Sequence, residues 1–177
     1  MRYGILMPML ILAALLPGPA GWSRPEAVVS CQTAAYVNDP DPRGLNVRSG
    51  PGKNFGVLVV LPTRQAEPAV KVNVDISGYS AGWLRLAQAW DLNRKPLLRR
   101  PGWVHASLLA TSTRTGPNQR VSLFLQPDGK GLAARIPDLS EDSLISCRGT
   151  WLEVSQGKTH GWLRQTDQCP LSETTCP

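Results

Sequence analysis

The chain has few of the residues from which catalytic centres are built. It contains only two histidines, His105 and His160, and neither stands in a sequence context that marks a nucleophile with its base. The fingerprints of serine hydrolases, zinc peptidases, P-loop proteins and dinucleotide-binding proteins are absent from the sequence. We therefore expect a protein that is not an enzyme and that uses no cofactor.

Long apolar runs are also missing, except near the start of the chain. Residues 5–16 are apolar apart from Pro8, they follow Arg2, and Gly18-Pro19-Ala20 supplies small residues. This order is typical of a secretory signal peptide cleaved near Ala20. The run is shorter than the roughly 20 residues of a transmembrane helix, so a retained anchor is the less favoured alternative. We expect a periplasmic or secreted protein with no stable membrane insertion after residues 1–20 are removed.

Cysteine is scarce, with four residues in the chain: Cys31, Cys147, Cys169 and Cys176. A zinc site that uses His160 is not favoured, because the sequence has no C-x-x-C pair. Cys31 follows the residue types of a lipobox, but charged residues separate it from the apolar run, so lipidation is not favoured either. In an oxidising compartment the four cysteines predict disulfides, with Cys147 bonded to Cys169 or Cys176 and Cys31 taking the cysteine left over.

Short apolar runs and turn residues, in contrast, are abundant. Sixteen glycines and sixteen prolines fall between runs rich in Val, Ile, Leu and Trp, and no long window has sustained helical periodicity. We predict an all-β fold with strands at residues 57–61, 70–74, 83–86, 144–147 and 151–154.

One pattern occurs twice along the chain. A proline turn is followed by an apolar strand that ends in proline and then by two strands with a tryptophan near the start. Pro51 corresponds to Pro127, Trp83 to Trp151, and Trp103 to Trp162. The first copy, with Asn46-Val47-Arg48-Ser49-Gly50-Pro51 and two Gly-Trp strands, resembles the bacterial SH3 (SH3b) family, and the second copy is degenerate.

The resemblance implies two small SH3-like barrels in tandem, the second degenerate and stapled by a disulfide. We expect a signal peptide at 1–20, a lead segment at 21–33, a first domain at 34–110 with an inserted basic loop at 87–101, and a linker at 111–118. A second domain would then span 119–169, followed by a tail at 170–177.

The resemblance also implies a role, because SH3b modules are commonly associated with peptidoglycan or its stem peptides. We expect an exported, non-enzymatic binding module with a groove between the turn after Asn46 and the Trp83 and Trp103 strands, with Arg48 beside it and Tyr36 as a further aromatic wall. Two structural alternatives stay open. The tryptophans can pack in the core, and Asn46 and Arg48 can brace the turn.

The inserted loop offers a second candidate surface. The whole chain carries a formal net charge of +6, and the loop concentrates positive charge beside an aromatic residue, in Trp90, Arg94, Lys95, Arg99 and Arg100. Such a surface favours an anionic partner, which makes a periplasmic adaptor that docks an envelope protein the alternative function. A solvated hairpin is the simpler interpretation of the loop. Nucleic acid is not expected as a partner, because the sequence has no recognised readout motif.

Overall fold

A computed structural model describes residues 27–63, 71–113, 120–137 and 140–171. The predicted signal peptide and Cys176 lie outside these residues. The described chain is all-β, as the sequence predicted, and its helical content consists of two short 3₁₀ helices, Ala106–Leu108 and Gln165–Asp167. None of the described helices is long and apolar enough to cross a membrane.

The sheet contains thirteen strands. In chain order they are β1 Val29–Val37, β2 Leu45–Arg48, β3 Val57–Leu61, β4 Asn73–Ser80, β5 Trp83–Trp90, β6 Gly102–His105, β7 Leu109–Thr113, β8 Arg120–Phe124, β9 Leu132–Pro137, β10 Glu141–Arg148, β11 Trp151–Gln156, β12 Thr159–Leu163 and β13 Gln168–Cys169. Hydrogen bonding orders them β3-β2-β6-β5-β4-β1-β7-β10-β11-β12-β8-β9, and β13 pairs with β7 beside this path.

The internal repeat of the sequence is also a repeat of strand pairing. In the first half β1 pairs with β4, β4 with β5, β5 with β6, β6 with β2, β2 with β3, and β1 with β7. In the second half β7 pairs with β10, β10 with β11, β11 with β12, β12 with β8, β8 with β9, and β7 with β13. These are the pairs of the first half with each strand number raised by six. β7 is therefore the last strand of the first repeat and the first strand of the second. The result is one antiparallel sheet in which a single pairing pattern occurs twice.

Equivalent side chains fill equivalent places in the two repeats. Val47 in β2 is wholly buried between the exposed Asn46 and the half-buried Arg48, which confirms the alternation predicted from the sequence. Leu123 in β8 is buried in the same way. Arg48 pairs with Trp103 in the first repeat, and Phe124 pairs with Trp162 in the second. The second repeat thus keeps an apolar inward residue, Leu123 in place of Val47, and has Phe124 where the first repeat has the outward Arg48.

The Gly-Trp motifs have a packing reason. A Cβ atom on Gly102 would lie 2.4 Å from Cγ1 of Val47, and one on Gly161 would lie 2.9 Å from Cβ of Leu123. In both repeats the residue directly before the tryptophan therefore needs to be glycine, so that the inward residue of β2 or β8 can pack against the backbone at that position.

The disulfide pairing differs from the prediction. Cys31 is bonded to Cys147, with Cα atoms 5.9 Å apart, so the pairing of Cys147 with Cys169 or Cys176 was wrong. The bond joins β1 of the first repeat to β10 of the second. Cys169 is also disulfide-bonded. Disulfides persist in oxidising compartments, so this bond is compatible with an extracellular location.

The reason for the pairing is a short contact that the sequence does not reveal. The start of β1 lies beside the turn between β10 and β11, where the backbone N–H of Gln32 donates to the carbonyl of Gly149 at 2.6 Å. The N–H of Gly149 donates in turn to the carbonyl of Ser30 at 2.9 Å. These bonds bring Cys31 next to Cys147, although the two are 116 residues apart in the chain.

Several predicted boundaries also move. The strand predicted at 57–61 is confirmed, but the one predicted at 70–74 begins at Asn73 and runs to Ser80. The first residues of the predicted insertion, 87–90, continue β5. The first three residues of the predicted linker belong to β7, and the rest of it lies outside the described residues.

Candidate functional site

The first predicted group of site residues begins with β2. Asn46 is exposed, and Arg48 donates from Nη1 to the carbonyl oxygen of Phe55 at 2.9 Å. This hydrogen bond closes the proline turn that follows β2. The turn-bracing alternative therefore describes what the Arg48 side chain does in this structure.

Trp83 and Trp103, the two tryptophans of the predicted site, belong to the core. Trp83 is 9% exposed and Trp103 is 8% exposed, and Trp83 makes an edge-to-face contact with His105 at 5.6 Å between ring centroids. Neither indole presents an open face on which a sugar ring could stack. The core-packing alternative is the one that the structure supports for both residues.

Tyr36 lies away from the other residues of this group, at the junction of the two repeats. It is buried, and its hydroxyl is 2.9 Å from Oγ of Ser112 and donates to Oε2 of Glu141 at 3.1 Å. Lys71 forms an ion pair with Glu141, and its Nζ lies 4.8 Å from the centroid of the Tyr36 ring. Tyr36 thus bridges β1, β7 and β10 and forms no aromatic wall of an exposed groove.

Burial controls the protonation of this junction. Burial is the main reason that the pKa of Tyr36 is raised above its ordinary value, so the hydroxyl stays protonated. Burial also raises the pKa of Glu141, but hydrogen bonding to Lys71 and its positive charge outweigh burial, and the net pKa is lowered. The junction therefore holds a neutral tyrosine and a charged carboxylate.

The second group of predicted site residues, those of the basic loop, lies at two separate places in the structure. Trp90 and Arg94 lie at a cavity of about 480 Å³ over β1 and β4. Trp90 ends β5, and a tight turn follows in which Oδ1 of Asp91 accepts hydrogen bonds from the backbone N–H groups of Asn93 and Lys95. Arg94 adopts a left-handed conformation in this turn, with φ 57°. Arg94 is exposed in this turn and contributes to the lining of the cavity.

The cavity combines an apolar floor with charges of both signs. Ala34 contributes to the floor, and the rest of the lining consists of Ala35, Asn73, Val74, Asp75, Trp90, Asp91, Leu92, Arg94, Pro170 and Leu171. A second cavity of about 530 Å³ adjoins it and shares three lining residues, Ala34, Asp75 and Pro170. Together they form a groove that runs along β1 and β4, which we call the β1–β4 groove. Its far wall comes from the end of the second repeat.

Hydrogen-bond acceptors gather at one point of this groove. Trp90 donates from its indole N–H to Oδ2 of Asp75 at 3.1 Å. Two buried side-chain oxygens, Oδ1 of Asn73 in the cavity lining and Oε1 of Gln88 on the strand opposite Asp75, have no hydrogen-bond partner among the described residues. Sequence reasoning missed Asn73, Asp75 and Gln88, because only the register of β4 and β5 brings them together.

The remaining basic residues lie elsewhere. Arg99 and Arg100 line a third cavity of about 450 Å³ with Leu58, Val59 and Leu97, beside strand β3 at one end of the sheet. Lys95 is exposed in the turn. The predicted basic surface is therefore two separate surfaces, one at the β1–β4 groove and one at β3.

The second repeat also carries aromatic residues that are less buried than their counterparts. Trp151 and Trp162 are half-buried, and Trp151 makes an edge-to-face contact with Phe124 at 5.7 Å between centroids. The guanidinium of Arg164 lies 5.1 Å from the centroid of the Phe124 ring. The sequence indicated the aromatic residues but not their greater exposure in this repeat.

Titratable residues that could hold a metal ion are not clustered. Within residues 27–63, 71–113, 120–137 and 140–171, no three or more His, Cys, Asp or Glu side chains lie together in a way suited to a metal. The residues that line the groove offer hydrogen bonding, ion pairing and contact with an aromatic ring.

Comparison with known proteins adds little. No family model and no curated protein matches the chain. Two solved structures from Trichomonas vaginalis, of NlpC2 and NlpC1, match with 14% identity each and TM-scores of 0.29 and 0.30. The matches cover 81% and 93% of this chain but 48% and 51% of those proteins, so the chain spans about half of their length. A likeness at this TM-score carries no argument about fold or function.

Proposed function

We propose that this chain is an exported, non-enzymatic binding module of two SH3-like barrels that recognises peptidoglycan or a cell-wall peptide. The repeated strand pairing supports the two-barrel architecture, since each set of pairs joins the strands in the same order. The Cys31–Cys147 disulfide supports export, since such bonds persist outside the reducing cytosol. The resemblance of the first repeat to the SH3b family supports the cell-wall ligand, as a family analogy.

The binding site in this proposal is the β1–β4 groove. The observation that carries it is the cavity of about 480 Å³ in which Trp90 and Arg94 meet Asp75 and an apolar floor. Ligand pockets typically combine apolar walls with a few polar groups that fix the orientation of the ligand. The buried Trp83 and Trp103 offer no comparable surface, so we move the proposed site away from them.

Each part of the groove has a use in binding a wall peptide. The half-buried indole of Trp90 offers an apolar surface, and the guanidinium of Arg94 can hold a carboxylate with two parallel hydrogen bonds. The adjoining cavity gives an extended peptide room to continue along β1. Wall peptides carry carboxylates, so charge complementarity at Arg94 contributes to both affinity and orientation.

The test is a calorimetric titration of the protein with a solubilised disaccharide-peptide from a cell wall. Arg94→Gln removes one charge at the groove, and we expect affinity to fall roughly 10-fold or more, as for a lost hydrogen bond to a charged group. Arg99→Gln is the matched control, because it removes the same charge from the other surface of the same loop. Equal affinities for Arg94→Gln and the wild type would contradict the proposed site.

A second candidate function is a periplasmic adaptor that docks an envelope protein. The observation that favours it is the third cavity, where Arg99 and Arg100 lie beside Leu58 and Val59 of β3. Residues Phe55, Val57 and Val60 near this cavity are 46%, 48% and 46% exposed. Docking led by the two arginines would weaken steeply with salt and with Arg99→Gln, whereas ligand binding in the groove would respond to Arg94→Gln.

A further inference from the structure

The register of β4 and β5 builds a group of oxygen acceptors on one face of the sheet. Asn73 lies directly opposite Trp90, and Asp75 lies directly opposite Gln88. Residues directly opposite each other in an antiparallel pair have side chains on the same face. The burial of β4 alternates, with Val74 and Ile76 inward and Asn73 and Asp75 on the other face. That face is the one that the groove covers.

Some acceptors of this group have no donor. The indole N–H of Trp90 satisfies Oδ2 of Asp75, while Oδ1 of Asn73 and Oε1 of Gln88 are buried without a partner among the described residues. Buried polar atoms are usually paired, and leaving one unpaired costs free energy. At Asn73, which lines the cavity together with Asp75, the missing component is a hydrogen-bond donor, and a donor with positive charge is favoured beside the Asp75 carboxylate.

We propose that the β1–β4 groove binds its ligand through a primary ammonium group at Asp75. An ammonium has three N–H donors and no acceptor, which suits the Asp75 carboxylate and the amide oxygen of Asn73, two residues that line the cavity. The indole of Trp90 borders the same cavity and adds a cation–π attraction. The ligand class is thus an amino acid or short peptide with a free primary amine.

The rim of the groove supplies the opposite charge. Arg94 and Asp75 both line the cavity of about 480 Å³, so a ligand with an amine and a carboxylate can meet both partners at once. An ion pair at each end fixes the direction of a short peptide, which a single contact would not do. A ligand that lacks the amine would leave the acceptor of Asn73 unpaired and bind more weakly.

This inference rests on the proposed function, and the experiment separates the two. A disaccharide-peptide with one free amine is compared with the same compound after acetylation of that amine, by calorimetry on the full mature chain. We expect acetylation to weaken binding roughly 10- to 100-fold, as for a lost hydrogen bond to a charged group. This arm uses the wild-type protein, so it does not depend on the folding of any variant.

The variant arm uses Asp75→Asn. The asparagine keeps an oxygen that accepts from the indole of Trp90 but removes the charge, and circular dichroism checks that the fold is retained. We expect this variant to lose affinity for the free amine and to bind the acetylated compound as the wild type does. Arg99→Gln, on the other surface, should change neither affinity.

The outcomes are distinct. Equal affinity for the free and acetylated compounds, with Arg94→Gln still weakening both, would overturn the ammonium site and leave the proposed function standing. No binding of either compound at millimolar concentration would overturn both. If acetylation weakened binding to the wild type but Asp75→Asn bound the free amine as tightly as the wild type does, the assignment of the ammonium to Asp75 would be overturned.

Discussion

Asp142 is a buried carboxyl residue of the described chain. It is wholly buried on β10, opposite Thr111 of β7. Oδ2 accepts a hydrogen bond from Ser140 at 2.9 Å, and Oδ1 has no partner among the described residues. Burial is the largest cause that raises the pKa of Asp142 from 3.8 to about 6, and the neighbouring charge of Glu141 adds to it.

The pH dependence of stability follows from this pKa. The folded state binds the proton of Asp142 more tightly than the unfolded state, so the stabilising contribution is complete below about pH 4 and is lost as the pH rises through about 6. We expect Asp142→Asn to remove this loss, which is on the order of 2–3 kcal/mol. Urea unfolding at pH 4, 5, 6 and 7 measures it.

The control for this prediction is Asp128→Asn, because Asp128 is an exposed carboxyl beside Lys130. Its replacement should change the pH profile much less. If Asp142→Asn and the wild type lost the same free energy of unfolding between pH 4 and pH 7, the buried carboxyl would not be the source of the dependence.

At the residue scale, the sequence predicted the direction of side chains correctly where apolar and polar residues alternate along a strand. It predicted Val47 inward and Asn46 outward, and the structure confirms both. It did not find Asn73, Asp75 or Gln88, because a polar residue on the outer face of a strand has no distinguishing signal until its cross-strand neighbour is known. The sequence also did not predict that Arg94 and Arg99 lie on two separate surfaces, since this depends on the path of the turn.

At the scale of elements, the close approach of two strands in each repeat is the feature most sensitive to change. Gly102→Ala would place a methyl group 2.4 Å from Val47 Cγ1 and 3.1 Å from the carbonyl oxygen of Arg48. Gly161→Ala would place one 2.9 Å from Leu123 Cβ and 3.1 Å from the carbonyl oxygen of Phe124. We expect each substitution to lower the free energy of unfolding by about 1–3 kcal/mol.

Gly56→Ala is the matched control for these two variants, because a Cβ atom there meets no atom within 4 Å. Urea unfolding followed by tryptophan fluorescence gives the three values. If Gly102→Ala were as stable as Gly56→Ala, the contact between β2 and β6 would be looser than described.

The elements themselves were predictable to different degrees. The strand at Val57–Leu61 was predicted with the observed bounds, because a short apolar run between turn residues fixes both ends. β4 was predicted too early and too short, since its second half, through Gly78 and Ser80, has less apolar character than its first. The extension of β5 into the insertion was missed, because its residues 87–90 were assigned to the loop.

At the scale of the whole molecule, the two repeats are joined by more than a linker. β7 serves both repeats, and the Cys31–Cys147 disulfide ties β1 to β10. The predicted pairing was wrong because it placed Cys147 beside the cysteines that follow the Trp162 strand, whereas the contact of Ser30 and Gln32 with Gly149 brings Cys31 next to it. A contact of this kind depends on tertiary packing, which strand patterns do not encode.

The shared strand also explains where the β1–β4 groove lies. Because β13 pairs with β7 next to β1, the end of the second repeat runs back over the first. Thr33 of β1 donates to Gln168 of β13 at 2.7 Å, and Pro170 follows as a wall of the groove. The candidate site is therefore formed by both repeats, and a single repeat would lack one wall.

The most direct test of the central claim is retention of the purified protein, expressed without residues 1–20, on isolated, protein-free peptidoglycan, measured at low and at high salt. A groove that combines Trp90 with an apolar floor predicts retention that persists at high salt in the wild type and in Arg99→Gln, and that falls in Arg94→Gln. Absence of retention at both salt concentrations would contradict the account. Retention that disappears at high salt and depends on Arg99 would contradict it as well and would favour the adaptor.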